Sequence, residues 1–261
     1  MMAEKTNRTV LVTGSGKGLG SAIAIEAGKL GYNVVVHYRS SEDEAKRTFE
    51  KVKDTGCRCI LVHADLGKQE DIDRMFEEIE KEFGGVDILV NNAAMQYQLN
   101  FDSYSVEQMR RIFEVNLGGY QSVSKRAIPH MRNNKWGRII NISSVHAKRP
   151  TNFDPGYGMT KGSIKMLTRE LAIELAPDFI TVNAVELGYV DVGVKSGNPA
   201  DIFPEDWEKD NPPMFNMRKL PVWNRLISQE EVGKVCMFFA SDDARSITGA
   251  SIRVDDGATL L

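Results

Sequence analysis

Short β-branched runs recur along the chain, each separated from the next by a stretch long enough for a helix: TVLV at 9–12, NVVVHY at 33–38, CILVHA at 59–64, VDILVN at 86–91, RIINIS at 138–143, ITVNAV at 180–185 and SIRV at 251–254. Strands arranged in this rhythm join through crossovers, and crossover helices cover the faces of a parallel sheet. The intervening segments carry the matching period. In DIDRMFEEIEKEF (71–83), Ile72, Met75, Phe76, Ile79 and Phe83 fall on one helical face, which predicts a core-facing helix. The expected fold class is α/β, a doubly wound parallel sheet with helices on both faces.

With 261 residues, no internal repeat and no low-complexity linker, one domain over 1–261 is expected. Net charge is −3 and the basic residues are scattered, which argues against a nucleic-acid partner. No run of about 18 apolar residues occurs, so a soluble, cytoplasmic protein with no membrane partner is expected. The three cysteines are too few for a disulfide framework, and Cys57-Arg58-Cys59 lacks the spacer of a metal or redox pair. His37, His63, His130 and His146 are dispersed and lack ligand spacing, so no metal is expected. Periodicity fails over 188–222, where prolines crowd with Trp207, Met214, Phe215 and Met217. Irregular segments of that length are functional covers or disordered; the apolar residues favour a substrate-covering lid.

TVLVTGSGKGLGSAIA reads as strand, glycine-rich turn and helix. Gly14 and Gly18 permit a tight turn, and Gly20 permits close packing of helix on strand. The helix N-terminus, with Ser15, Lys17 and Leu19 alongside, offers unpaired N–H groups to a pyrophosphate. This is the first βα turn of a Rossmann-type sheet, although glycines also end strands for purely structural reasons. The second strand ends in Tyr38-Arg39-Ser40, with no carboxylate before Glu42. An acidic residue there would accept from the ribose hydroxyls of NAD, whereas Arg39, helped by Lys17, suits a 2′-phosphate. NADP(H) is therefore the expected cofactor, with NAD(H) as the alternative. Asp65, with Leu66, either meets the adenine or caps the next helix.

Taken together, TGSGKGLG (13–20), NNAA (91–94), Asn116 in VNLGG, ISS (142–144), YGMTK (157–161) and the terminal VDDG (254–257) resemble the short-chain dehydrogenase/reductase family over nearly the whole chain. The nearest patterns are 3-oxoacyl-carrier-protein reductases and bacterial glucose dehydrogenases. The resemblance implies a catalytic tetrad of Asn116, Ser144, Tyr157 and Lys161, with Ser144 rather than Ser143 at the family's interval. It also implies cofactor contacts from Asn92, Ala93, Ala94, Val115, Gly188 and Val190, and a homotetramer formed through helices containing 107–134 and 157–176. Two departures stand out. Leu187-Gly188 replaces the usual Pro-Gly, which suggests a more flexible turn beside Glu186, and Val192 stands where a threonine holds the carboxamide.

Tyr157 and Lys161 lie one helical turn apart, a spacing that alone is common on exposed helices. Beside a dinucleotide loop it has a chemical use. A phenol titrates near pH 10, and a neighbouring ammonium favours its ionised form. Tyr157 then serves as the general acid or base while Ser144 hydrogen-bonds the substrate oxygen. Met95, Tyr97, His146 and Phe153, with Ser144 and Tyr157, are the expected substrate contacts. Lys148 and Arg149 make the His146 loop basic, which suits an anionic substrate or only a solvated surface. The expected activity is hydride transfer between nicotinamide and a ketone or secondary alcohol. A sugar or hydroxysteroid dehydrogenase is the alternative enzyme, and a nucleotide-sensing binding protein the rival outside enzymes.

Overall fold

The computed structural model describes residues 7–150, 154–191 and 225–260. Its centre is a seven-stranded sheet in the order β3-β2-β1-β4-β5-β6-β7, built from β1 (Thr9–Val12), β2 (Asn33–Tyr38), β3 (Cys59–His63), β4 (Ile88–Asn91), β5 (Gly137–Ser144), β6 (Ile180–Leu187) and β7 (Ser251–Val254). Every neighbouring pair is parallel. The order reverses beside β1, between β1 and β4, where such sheets open a crevice at the carboxyl ends of their strands.

Successive strand residues face opposite sides, and each side has its own core. On one, Val10, Val12, Val34, Val36 and Ile140 pack with Ile23 and Ala27 of α1 (Gly18–Lys29) and with Val232, Cys236 and Phe239 of a helix at Gln229–Ala240. On the other, Leu11, Val35, Leu89 and Ile139 meet Ile72, Met75, Phe76 and Ile79 of α3 (Gln69–Phe83), Val123 and Met131 of α5 (Gly119–Asn133), and Leu175 of α6 (Pro155–Leu175). The remaining described α-helices are α2 (Glu42–Lys53) and α4 (Val106–Phe113), so the Gln229–Ala240 helix is α7. Truncating a side chain such as fully buried Leu11 to alanine costs about 2–5 kcal/mol.

The helical pattern expected across 107–134 is not continuous. A π-turn at Glu114–Gly118 separates α4 from α5. One extra residue per turn rotates the backbone there, and this carries buried Asn116 inward. The expected flexible turn at Leu187-Gly188 also needs correction. Leu187 is the last residue of β6, in register with Ser144 on one side and Val254 on the other, and the Gly188 N–H donates to Val254 O at 2.9 Å. Leucine has the N–H and free φ that proline lacks, so the ladder runs on. Glu186 is not a loose carboxylate either: it is buried and accepts from Lys165 Nζ and Ser251 Oγ, each at 2.6 Å. Of the lid expected over 188–222, residues 192–222 lie outside the described residues, as does Val192.

Candidate active site

The turn after β1 is shaped by close approach. Gly14 has φ +64°, and a Cβ there would sit 2.9 Å from the Ala93 backbone; at Gly20 a Cβ would sit 2.4 Å from Gly14 O. Side chains at these positions would fill the cradle or push its walls apart. Thr13 Oγ1 accepts from the N–H groups of Asn92 and Ala93 at 2.9 and 3.0 Å, and Asn92 Nδ2 donates to Thr13 O at 2.9 Å. The NNAA segment is thus stitched to the glycine loop. No side chain caps α1, so the N–H groups of its first turn face the crevice.

A cleft of about 640 Å³ follows this loop, lined by Gly14, Lys17, Leu19, Gly20, Tyr38, Arg39, Ser40, Asp65, Leu66, Asn92, Ala93, Ala94 and Val115. Ser15, by contrast, is buried behind the loop, where its hydroxyl donates to Val12 O at 2.7 Å. Gly18 opens α1. Lys17 reaches Glu44 at 2.9 Å across the exposed rim. Asp65 does not cap α3, whose N-cap is Lys68. Its carboxylate instead accepts from Gly67 N at 2.9 Å and from Arg111 Nη2 at 2.7 and 2.6 Å. Burial works to raise its pKa, but these donors outweigh that and hold it below the usual carboxylate range.

A second cavity, of about 360 Å³, continues past Leu19, Asn92 and Ala94 to Ser144, Tyr157, Lys161, Leu187, Gly188 and Val190. The strand end at Ser144 faces the first turn of α6, and Ser144, Tyr157 and Lys161 line this cavity together. Lys161 is buried, donates to Ile142 O at 2.7 Å and sits 5.4 Å from the Tyr157 ring centre. Burial lowers the Lys161 pKa to about 7. The expected depression of the Tyr157 pKa is outweighed: burial raises it above the ordinary value, Ser144 opposes that, and the Asp154 charge adds to it. Asn116 uses its amide elsewhere, donating from Nδ2 to Met95 O at 2.9 Å and Thr160 Oγ1 at 3.2 Å, and accepting from Met95 N at 2.8 Å. It fixes the chain after β4 against α6 and makes no direct bond to Lys161.

On the substrate side, Met95 and Tyr97 follow β4, and Tyr97 meets Tyr104 edge to face at 5.8 Å. His146 is half-buried, and its Nδ1–H donates to Arg149 O at 3.1 Å, which leaves Nε2 as an acceptor. Burial lowers its pKa, so it is neutral at pH 7. Arg149 is turned to the C-terminal segment, donating to Thr259 O at 2.6 Å, so its charge does not extend the basic loop toward the cavity. Phe153 lies outside the described residues. Among the described residues no His, Cys, Asp or Glu cluster could hold a metal ion, and no helix is long and apolar enough to cross a membrane.

Two contributors escaped the sequence reading. His37, inside β2, bridges the glycine loop and the end of β3. Nothing in a buried strand marks one histidine for that role. Asp154 is the N-cap of α6 and accepts from Tyr157 N. The Asp154-Pro155 pair, aspartate before a proline at the first helical position, was a readable start signal.

The cradle, the continuous cavities and the donors along them fit a nicotinamide dinucleotide. A family model described as enoyl-(acyl carrier protein) reductase matches residues 14–259. The chain is similar to 3beta-hydroxysteroid dehydrogenase 1 of Eggerthella lenta, 37% identical over 261 residues with 100% of this chain and 97% of that protein covered. It is similar to glucose 1-dehydrogenase 2 of Bacillus subtilis, 35% identical with 100% and 98% covered. A 3-oxoacyl-[acyl-carrier-protein] reductase of Staphylococcus epidermidis is 30% identical, with 96% and 98% covered. With matches of this breadth, the chain belongs to the short-chain dehydrogenase/reductase family, as an oxidoreductase acting on a CH–OH group with NAD(P).

Proposed function

We propose that the protein is an NADP(H)-dependent carbonyl reductase, interconverting a ketone and a secondary alcohol, with 3-oxoacyl compounds as its first candidate substrates. The observation that carries the reading is the placement of Tyr157 with Ser144 and Lys161 in the cavity that continues the dinucleotide cleft past Leu19, Asn92 and Ala94, where burial and the Asp154 charge favour the protonated phenol. A bound reduced nicotinamide supplies hydride. Ser144 orients the carbonyl oxygen and hydrogen-bonds it as charge develops, and Tyr157 delivers the proton. Lys161 adds positive charge beside the phenol and reaches toward the cofactor ribose. Asn116 holds the Met95 wall against α6. A protein that only senses nucleotides needs none of this buried acid chemistry.

The preference for NADP(H) is supported by Arg39 and Ser40 in the cleft at the end of β2, with Lys17 on its rim. A sugar or hydroxysteroid dehydrogenase is the second reading. Arg149 favours it, because a guanidinium engaged with Thr259 O does not recruit an anionic acyl carrier. The open groove of Val106, Met109 and Phe113 on α4 and Leu117 in the following π-turn, and exposed Met166 and Ile173 on α6, support a homotetramer built through these helices. Light scattering on the purified protein tests that state; a monomer contradicts it. We place this single-domain enzyme in the cytoplasm.

The functional test follows loss of NADPH or NADH with β-keto thioesters, sugars, quinones and ketosteroids, and the reverse reaction with the matching alcohols. NADPH-linked turnover of β-keto thioesters supports the first reading. Turnover confined to ketosteroids or sugars replaces it with the second, and turnover with NADH alone overturns the cofactor preference.

A further inference from the structure

Asp154 is 0% exposed, and both oxygens of its carboxylate are used. Oδ1 accepts from the Tyr157 N–H at 3.0 Å and from the Tyr104 phenol, while Oδ2 accepts from the N–H groups of Tyr97 and Gln98, each at 3.1 Å. A helix cap needs one oxygen, and serine or asparagine supplies it as well as aspartate. The other oxygen is spent on the chain that leaves β4 toward the substrate side. Gln98 has φ +56°, a left-handed conformation that costs a non-glycine residue energy and persists only where surrounding bonds hold it. Tyr104 completes the arrangement: its hydroxyl lies 3.1 Å from where a Cβ on Gly156 would stand, so the phenol packs closely on the first turn of α6. Met95, at the near end of the segment, is held by Asn116.

We propose that Asp154 is a positioning residue, a carboxylate clamp that fixes the substrate-side segment 97–104 to the first turn of α6 and so sets the distance between that wall and the Tyr157 phenol. The inference rests on the reading of Tyr157 as proton donor and deepens it by naming what holds the acid and the substrate wall in register. Among the described residues, the titratable groups facing Asp154 include Tyr97 and Tyr104 from the segment after β4, and Tyr157 from α6. Those facing Tyr157 are Ser144 from β5, Tyr120 from α5, Asp154, and Lys161 on its own helix. Among the described residues facing Tyr157, Asp154 is the only carboxylate, and its charge favours the protonated phenol.

The test compares wild type, Asp154→Asn and Tyr104→Phe by steady-state kinetics, pH profiles and amide hydrogen exchange. Asparagine keeps an oxygen for the Tyr157 N–H but turns an NH2 toward the Tyr97 and Gln98 amides. The expected result is a KM for the carbonyl substrate raised about tenfold, about one hydrogen bond to a charged group, with NADPH affinity within about twofold of wild type. The amides of Tyr97 and Gln98 exchange about tenfold faster while residues 160–175 keep their protection. The alkaline limb of carbonyl reduction moves to lower pH, because without the negative charge the phenol gives up its proton sooner. Tyr104→Phe retains the carboxylate and both amide bonds, so KM rises less and the pH limb stays in place. Unchanged exchange at Tyr97 and Gln98 overturns the clamp, and so does a loss of activity that tracks only the folded fraction, with KM and pH profile unmoved. Should Asp154→Asn not fold, a Tyr104→Phe protein with wild-type KM and wild-type exchange over 97–104 overturns it. Exchange needs no turnover, so a wild type that reduces no ketone sinks the proton-donor reading without deciding the clamp's fate.

Discussion

Nδ1 of His37 accepts the backbone N–H of Gly14 at 2.8 Å. The opposite ring nitrogen lies 3.0 Å from Ala64 O and must therefore carry the hydrogen, so one neutral imidazole ties the glycine loop to the end of β3. Burial lowers its pKa from 6.5 to about 4. A protonated ring would face Gly14 N–H with a second donor. The unfolded chain binds this proton below about pH 6.5 and the folded one only near pH 4, so the stabilisation is whole above 6.5 and is lost as pH falls toward 4. The loss amounts to ~3 kcal/mol, from a shift of roughly two and a half units. Melting temperature measured from pH 7 to pH 4 is expected to fall more steeply in wild type than in His37→Asn, which cannot titrate. Parallel curves refute the assignment.

The ion pair between Lys165 and Glu186 spans α6 and β6 beneath the active site, with Glu186 side-chain exposure at 1%. Removing one member strands the other without its partner in a low-dielectric setting, a cost of about 3–5 kcal/mol. Glu186→Ala is thus expected to lower denaturant stability by that order, whereas Glu186→Leu combined with Lys165→Met recovers most of it. Urea unfolding of the single and double variants decides the point; equal losses in both would mean that packing, not charge, matters there.

Gly20→Ala places a methyl 2.4 Å from Gly14 O and 2.7 Å from Asn92 Nδ2. Relieving that contact moves backbone, not a pliable side chain, so stability is expected to drop by about 1–3 kcal/mol. The movement also spreads the turn that faces the pyrophosphate, and NADPH titration is expected to show weaker binding. Affinity equal to wild type would show that the cradle is not where the phosphates sit.

Arg39→Asp removes a cation from the cleft and introduces a carboxylate at the position that suits a ribose hydroxyl. NADPH affinity is expected to fall by about tenfold or more, the worth of one or two charge-assisted hydrogen bonds, while NADH affinity holds or rises. Isothermal titration with both cofactors checks it. An unchanged ratio removes Arg39 from cofactor selection.

The sheet was legible because parallel strands buried on both faces need β-branched runs, and those runs are uninterrupted. Their ends were less so. Ser144 and Leu187 extend β5 and β6 beyond the runs at 138–143 and 180–185, since pairing between neighbours, not local composition, decides where a ladder stops. The π-turn around Asn116 was hidden for a related reason: its residues suit an ordinary helix, and only tertiary packing selects the wider turn. The spacing of Ser144, Tyr157 and Lys161 suggested that they meet, yet not that burial would dominate both ionisations. Asp65 with Arg111, 46 residues apart, and Lys165 with Glu186, 21 apart, carry no local pattern at all. Asp154 differs, because its cap followed by proline was visible, while its bonds to Tyr97 and Gln98 depend on how the segment after β4 folds back.

The central claim is that Tyr157 gives the proton in carbonyl reduction, and the most direct measurement is single-turnover reduction by Tyr157→Phe, with NADPH bound, of whichever ketone wild type accepts. The phenylalanine keeps the ring and loses only the hydroxyl. The account expects NADPH affinity near wild type and a rate lower by about 10²–10⁴. A single-turnover rate equal to wild type would contradict it and move the acid to another group in the cavity.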